Sequence, residues 1–419
     1  MDTEVVVRVS RRAADRLRAG HQWVYRSDLL GTSNVSGERA EAPAGSLVSV
    51  ADVRGVPLGS ALYSAASEIA LRLVSTRPGV RRAEYVEIVR ERLAAALDLR
   101  KELAAEVFTS SGDDNACRLV FSEADGLPGI IADRYGSLVV VQLLTQGTAQ
   151  DDVRSVLRDV LGALPWVETV AERPDARVRE LEQLQPAAET ALFVREGCEA
   201  KLQTIFSMNG LRFHFDAGAG QKTGAFLDQR LNYAAAARVA RGRALDACTY
   251  QGGFALHLAG GRCDRVTGVD VSRSALEVAD RNLELNAARG AIHAKVDWVE
   301  ADAFELLRDF ADRGERFDTI VLDPPAFAKT RRAAEGAMRG YKEMNLRALK
   351  MLRNGGTLVT CSCSHHVSTE DFLGVVSSAA SDTGRRVQLL ETRGAAPDHP
   401  AILTLPETSY LKCLICRVD

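Results

Sequence analysis

Apolar and polar positions along this chain shift between a two-residue and a 3.6-residue period, and the shifts mark its organisation. Residues 4–9 alternate as a strand and residues 11–17 form a short basic helix. Further short strands at 47–52, 61–63 and 69–74 make the first 77 or so residues a small β-rich module. From Arg82 to Leu103 the period lengthens, and Val86, Val89, Leu93, Ala96 and Leu97 share one helix face. Strands follow at 118–121, 130–135 and 138–144, the last two on either side of Gly136, and 151–161 is a second helix. Residues 174–200 are charged and without a period, as expected of a loop or linker. Met208-Asn-Gly210 then turns a hairpin into a strand at 211–215.

Beyond about residue 206, apolar strands alternate with helices, the pattern of an α/β fold. Residues 244–254 read Ala-Leu-Asp-Ala-Cys-Thr-Tyr-Gln-Gly-Gly-Phe. This stretch delivers Asp246 from a strand end into a turn that closes at Gly252 and Gly253, before an Ala/Leu-rich helix. Glycine there lets the backbone approach a ligand closely. The spacing is not the G-x-G-x-x-G of dinucleotide sites. Asp270 ends a second strand about 20 residues on, where a ribose would be gripped. Asp302 and Asp323 end a third and a fourth. Four acids at successive strand ends lie on the edge where open α/β sheets bind ligands. Ser274-Ala-Leu-Glu277 reads as a capping box for a helix ending near Gly290. Residues 356–360 form a fifth strand, and 387–390 with 410–415 a final pair.

A length of 419 residues gives room for two or three domains. The net charge of −3 counts against a chain-wide basic surface, so any nucleic-acid contact must come from local clusters. One such cluster is Arg8, Arg11, Arg12, Arg16, Arg18 and Arg26, opposed nearby in sequence only by Asp15. A solvated helix face and a phosphate-contacting patch both fit it. Eight cysteines in so long a chain make no disulfide framework. No apolar run approaches a membrane span, and Met-Asp-Thr-Glu does not start a signal peptide, so a cytoplasmic protein without a membrane partner is expected. Cys413 and Cys416 have C-x-x-C spacing but no second pair, so they are expected in the core and no metal is expected.

Two segments carry candidate chemistry. In Asp323-Pro-Pro-Ala-Phe327 the prolines fix the backbone and carry no N–H, leaving carbonyls and the Asp323 carboxyl to face the crevice. The four strand-end acids resemble the pattern of methyltransferases with a Rossmann-like sheet, in which such a segment holds a planar base; that resemblance by itself fits methylation of an exocyclic nitrogen. Cys363, in Thr360-Cys-Ser-Cys-Ser-His365, adds a nucleophile on the same sheet edge. Carbon 5 of a pyrimidine needs a thiolate added at carbon 6 before it can attack a methyl group. Cys361 is the rival thiol and is expected to face the other way.

Together these motifs resemble the bacterial 23S ribosomal RNA cytosine-5 methyltransferases with an N-terminal PUA-like domain. The resemblance runs over nearly the whole length. Its motifs are Gly20-His-Gln-Trp-Val-Tyr25, Glu123-Ala-Asp-Gly-Leu-Pro-Gly129 with Asp133-Arg-Tyr135, Lys222 to Arg230, Asp246 to Phe254, Asp323 to Phe327, Arg339-Gly-Tyr-Lys342 and Ser362-Cys-Ser364. It implies a PUA-like RNA-binding domain over 1–78, an α+β middle domain over 79–205 and a Rossmann-like class I methyltransferase domain over 206–419.

S-adenosyl-L-methionine is the implied cofactor. It would be held by Lys222, Thr223, Asp228, Gln229, Arg230, Tyr250, Gly252 and the four strand-end acids, with Asp270 on the ribose, Asp302 on the adenine amine and Asp246 at the methionine end. Cys363 would be the nucleophile and Asp323 would contact the base near N3. Pro324, Pro325, Phe327, Arg339, Tyr341 and Lys342 would bind the target, and Arg11, Arg12, Arg16 and Trp23 the flanking RNA. The implied partner is 23S rRNA, naked or in the large subunit, and a homodimer is compatible with the chain. Many RNA cytosine-5 methyltransferases have a second cysteine where this chain has Pro325, so the base that takes the carbon-5 proton is open. Two rivals stand beside this reading: a guanine or adenine nitrogen methyltransferase of the same fold, and a non-catalytic RNA-binding or assembly factor.

Overall fold

A computed structural model describes residues 4–103, 105–108, 114–173, 176–184, 191–218, 225–327 and 334–419. They divide between two compact units. One comprises 205–214, 225–397 and 409–419; the other comprises residues within 1–204, 215–224 and 398–408.

The first of these is built on a seven-stranded sheet. Its strands in chain order are β1 (Gly242–Ala247), β2 (Cys263–Asp270), β3 (Lys295–Glu300), β4 (Phe317–Leu322), β5 (Leu352–Ser362), β6 (Val387–Arg393) and β7 (Lys412–Val418). In space they run β3-β2-β1-β4-β5-β7-β6. The first five are parallel, and β7 is antiparallel to both neighbours. The central strands are apolar because helices cover both faces. Leu245, Ile320, Leu322 and Leu358 share a core with Met344 and Leu349 of α5 (Ala334–Met351) and Phe372 and Val376 of α6 (Thr369–Thr383). Truncating such a side chain to alanine costs about 2–5 kcal/mol. Strand order reverses between β1 and β4, and that switch point opens a crevice at the strands' carboxyl ends.

The other helices of this unit are α1 (Arg230–Val239), α2 (Gly253–Gly260), α3 (Arg273–Ala287) and α4 (Ala303–Asp312). Helix α3 is capped two residues before the expected Ser274. Ser272 is its N-cap, with its hydroxyl accepting from the Ala275 N–H. The Asn209-Gly210 turn has both residues at positive φ, 52° and 78°, as a tight hairpin requires.

In the other unit, a six-stranded sheet carries Val7 and Val9 inward against Ala13, Ala14 and Leu17 of the helix Arg11–Arg18. Trp23–Tyr25 and Leu29–Asn34 are strands that the pattern missed. A five-stranded sheet with helices Arg82–Leu103 and Asp151–Gly162 forms the second core, which Leu62, Val74 and Val80 also enter.

Part of the expected 174–200 loop is ordered: Ala176–Glu182 is a helix and Phe193–Val194 a strand, while 174–175 and 185–190 lie outside the described residues. That helix shows no apolar period because two of its inward positions are charged. Arg179 reaches Glu172, and the buried Glu182 carboxylate accepts from the Ser64 hydroxyl at 2.8 Å.

Candidate active site

The site is assembled from what each strand does as it ends. Asp246 lies fully buried in β1, with Oδ2 accepting from the Thr249 hydroxyl at 2.5 Å and the Ala255 N–H at 2.9 Å. Its Oδ1 is buried with no partner among the described residues. Burial pushes this carboxyl up to about 7 against the pull of those two hydrogen bonds, and the charge of Asp270 adds to the rise.

The turn that follows is wound tightly, with Cys248, Tyr250 and Gly252 at φ of 67°, 52° and 87°. The two non-glycine residues there cost of order 1–3 kcal/mol each, strain of a kind that concentrates at ligand sites. A Cβ on Gly253 would sit 2.6 Å from the Tyr233 ring, so the helix start admits only glycine.

Asp270 is the last residue of β2. Its carboxylate is aimed by two backbone donors, Tyr250 N–H onto Oδ2 and Ser272 N–H onto Oδ1, both at 2.9 Å. Asp302 caps α4, where Oδ1 takes the N–H groups of Phe304 and Glu305. The four acids converge on one place: burial first, then the fields of Asp270, Asp323, Asp246 and Asp302, drive the Cys248 thiol far up.

At the end of β4, Asp323 Oδ1 accepts from the Gln229 side-chain amide at 3.0 Å. The buried Gln229 is held in turn by Asn232. Asp228 beside it accepts the Tyr410 hydroxyl at 2.5 Å. Arg230 is buried at the start of α1, while Lys222 and Thr223 lie outside the described residues.

The two thiols of the β5 end have opposite settings. Cys361 is fully buried, directly across from Cys413 of β7, and burial followed by that thiol keeps it protonated. Cys363, just past the strand, is half-buried, with Sγ 3.8 Å from the Pro324 carbonyl oxygen. The half-buried thiol thus meets the Asp-Pro-Pro segment, in which Pro324 is buried and Pro325 exposed.

Phe327 packs between Phe304 and Tyr341, with ring centroids 5.6 and 4.7 Å away. With Ala337, Gly340 and the exposed Arg339 it lines an open groove of about 500 Å³. Two expected target-binding residues are placed otherwise. Tyr341 is buried, edge-on to Phe372, with its hydroxyl 2.9 Å from Ser364 Oγ, so it braces the segment after Cys363 rather than presenting a face. Lys342 pairs with Asp382 at 2.7 Å. Pattern reasoning also passed over Lys412, a buried lysine whose ammonium donates to the carbonyls of Ser364 and Tyr410. A lysine inside the apolar Tyr410–Ile415 run was the available signal.

The N-terminal arginines are less bare than their sequence neighbourhood suggested. Arg12 and Arg16 both donate to the buried Asp28 carboxylate at 3.0 and 2.7 Å, and Arg18 reaches Asp52. Arg11 stays exposed beside Asp15. Trp23 donates its indole N–H to Glu123, which Arg72 also holds.

A sequence profile described as S-adenosylmethionine-dependent methyltransferase matches residues 129–416, and a PUA-like domain profile matches residues 7–76. The chain belongs to the S-adenosylmethionine-dependent methyltransferases. Relatives named ribosomal RNA large subunit methyltransferase I support the assignment. Those of Shigella boydii and Escherichia coli are 36% and 37% identical to this methyltransferase over 401 residues, 95% of each chain. The Klebsiella pneumoniae protein of that name is 37% identical over 95% of this chain and 94% of its own.

A solved structure described as a candidate methyltransferase in complex with S-adenosylhomocysteine shares the fold. Its TM-score is 0.78 at 19% identity, covering 98% of this methyltransferase and 99% of that chain. Another, from Streptococcus mutans, matches with the same figures. Among the described residues, no helix is long and apolar enough to cross a membrane.

S-adenosylmethionine is the cofactor of this family, and the edge residues suit it chemically. The ligand offers hydroxyl, amine and ammonium donors with positive charge. The site offers the Asp246 oxygen that has no partner among the described residues and a converging set of carboxylate acceptors.

Proposed function

We propose that this methyltransferase forms 5-methylcytosine in large-subunit ribosomal RNA, with Cys363 as the nucleophile. The observation that carries this reading is the pairing of a half-buried thiol with the Asp-Pro-Pro segment. The neighbouring Cys361 is sealed in the core and held protonated. The rRNA substrate is supported by the names of the relatives and by the PUA-like match. Residues 1–78 serve as the RNA-binding module, 79–205 as the middle domain and 206–419 as the methyltransferase domain.

In the site, Asp270 binds the cofactor's ribose, Asp302 the adenine amine, and Asp246 the ammonium group of the methionine end. S-adenosylmethionine supplies an electrophilic methyl on a sulfonium, whose bonding pair stays on sulfur when the methyl leaves. The Cys363 thiolate bonds to carbon 6, and the carbon 5–carbon 6 pair becomes available at carbon 5, which takes the methyl. Asp323, fixed by Gln229, faces N3, which gains negative charge as the thiolate adds, and in its acid form gives N3 a proton. Loss of the carbon-5 proton to a base restores the double bond and breaks the sulfur–carbon bond.

The test is product analysis. Large-subunit rRNA is incubated with the protein and labelled S-adenosylmethionine, then digested to nucleosides and resolved by mass spectrometry. The label should appear in 5-methylcytidine. Label in a nitrogen-methylated guanosine or adenosine would replace this reading with the nitrogen-methylating one. Cofactor binding with no labelled nucleoside would leave an RNA-binding factor.

A further inference from the structure

Lys412 is the first residue of β7, and its Cα lies opposite Ser362 of β5, one residue before Cys363. Its side chain is buried, and Nζ donates to the Ser364 carbonyl at 2.7 Å and the Tyr410 carbonyl at 2.8 Å. Both acceptors are neutral, and no carboxylate pairs with this ammonium among the described residues. A buried ammonium without a counter-charge is costly to keep, and such groups persist mainly where function uses them.

The geometry points to a positioning role. We propose that Lys412 is the positive charge that favours the Cys363 thiolate, while its two hydrogen bonds tie Ser364, the residue after that cysteine, to the chain at Tyr410. The ammonium neither gives nor takes a proton in this role; the thiol proton leaves to solvent. The inference rests on the reading of Cys363 as nucleophile, and it names what activates that thiol.

The electrostatics agree. Burial brings Lys412 down to about 8, and the groups that pull it back toward the charged form are Cys363 first and then Asp371. Asp371 belongs to the N-terminal capping box of α6 and is already held by Ser368. That leaves the thiolate as the anion the lysine is placed to serve. Among the described residues, titratable groups near this corner include Tyr341 from α5, which burial keeps protonated, Asp323 on the segment that Cys363 touches, and His365, whose ring lies 5.4 Å from that of Tyr410.

A purely structural lysine would hold the two carbonyls and nothing more, so the test separates charge from hydrogen bonding. Lys412→Gln keeps N–H donors but removes the charge; Lys412→Arg keeps the charge. In the full chain, alkylation of Cys363 by iodoacetamide is followed by peptide mass spectrometry from pH 5 to 10, with circular dichroism confirming the fold. The midpoint in Lys412→Gln should rise by roughly one pH unit, about a tenfold drop in thiolate at neutral pH. Lys412→Arg should move it much less. The midpoint is the proper readout, because a thiol of higher pKa is also a better nucleophile and offsets part of the rate.

An unchanged midpoint in folded Lys412→Gln would overturn the proposal and leave Lys412 a brace. The parent reading fails separately, if Cys363→Ala still turns over. A midpoint shift alongside active Cys363→Ala would keep the charge coupling and remove only its catalytic purpose.

Discussion

In the N-terminal region, charge meets charge. Arg12 and Arg16 share Asp28, Arg18 meets Asp52, and deeper in the same unit Arg100 and Arg118 hold Asp125 and Asp133. At the carboxyl edge of the seven-stranded sheet the opposite holds. Asp246 keeps a buried oxygen with no donor among the described residues, four acids converge on one turn, and Lys412 is buried against neutral carbonyls. A chain at rest does not gain from unmatched buried charge, since each such group loses hydration without a partner's compensation. Paired charges therefore mark architecture, and unmatched ones mark places where a ligand completes the set.

The largest test of this contrast lies within one strand end. Cys363→Ala should lower methyl transfer by at least about 10⁴-fold, as expected when a nucleophile leaves a group of residues that act together. Cys361→Ala should leave turnover within a few-fold and cost about 1 kcal/mol of stability, visible in urea unfolding. Equal losses in both variants would erase the distinction between sealed and half-buried thiol.

Next in size is Asp270→Ala. It removes a carboxylate pre-aimed by two backbone N–H groups and should weaken S-adenosylmethionine binding by roughly 1.5–3 kcal/mol, tenfold or more by calorimetry. Unchanged affinity would take Asp270 out of the site.

Asp246→Asn probes the cost of keeping a ligand group unmatched. A carboxyl whose pKa is higher folded than unfolded binds its proton more tightly in the folded state. Its contribution to stability is therefore present below about pH 4 and lost as pH rises toward 7. Asparagine titrates nowhere in this window. Without cofactor, the variant should gain on the unaltered chain by about 1–3 kcal/mol between pH 4 and 8, while binding S-adenosylmethionine more weakly. A stability difference independent of pH would show that the carboxyl is matched after all.

The smallest effect belongs to the paired arginines. Each phosphate contact contributes roughly 0.7–0.9 to the slope of log affinity against log salt. Arg12→Ala or Arg16→Ala should change that slope for rRNA by less than one contact, because Asp28 already engages both guanidinium groups. Arg11→Ala, at an exposed position, should change it more.

The contrast also explains what was legible in the chain. Asp246, Asp270, Asp302 and Asp323 could be found because each follows an apolar strand, so order along the sequence fixes their place on one edge. Strand alternation could not separate Cys363 from Cys361, since residues two apart share a face; the strand ends at Ser362, and the chain leaving it carries Cys363 to the Asp-Pro-Pro segment. Partners distant in sequence could not be found that way. Asp28 meets arginines 12 and 16 residues before it, and Gln229 meets Asp323 94 residues on. Helix Ala176–Glu182 was hidden because its buried positions are charged, and the burial of Tyr341 could not be read because a motif does not reveal which way a ring points.

The most direct measurement replaces the target cytosine by 5-fluorocytosine in an rRNA fragment. Fluorine at carbon 5 cannot leave as a proton does, so the ring, once methylated, cannot release the enzyme. With S-adenosylmethionine present, a protein–RNA adduct should survive denaturing electrophoresis, map to Cys363 by peptide mass spectrometry, and vanish in Cys363→Ala but not in Cys361→Ala. Absence of any adduct while the same fragment with ordinary cytosine is methylated, or an adduct mapping to Cys361, would contradict the account.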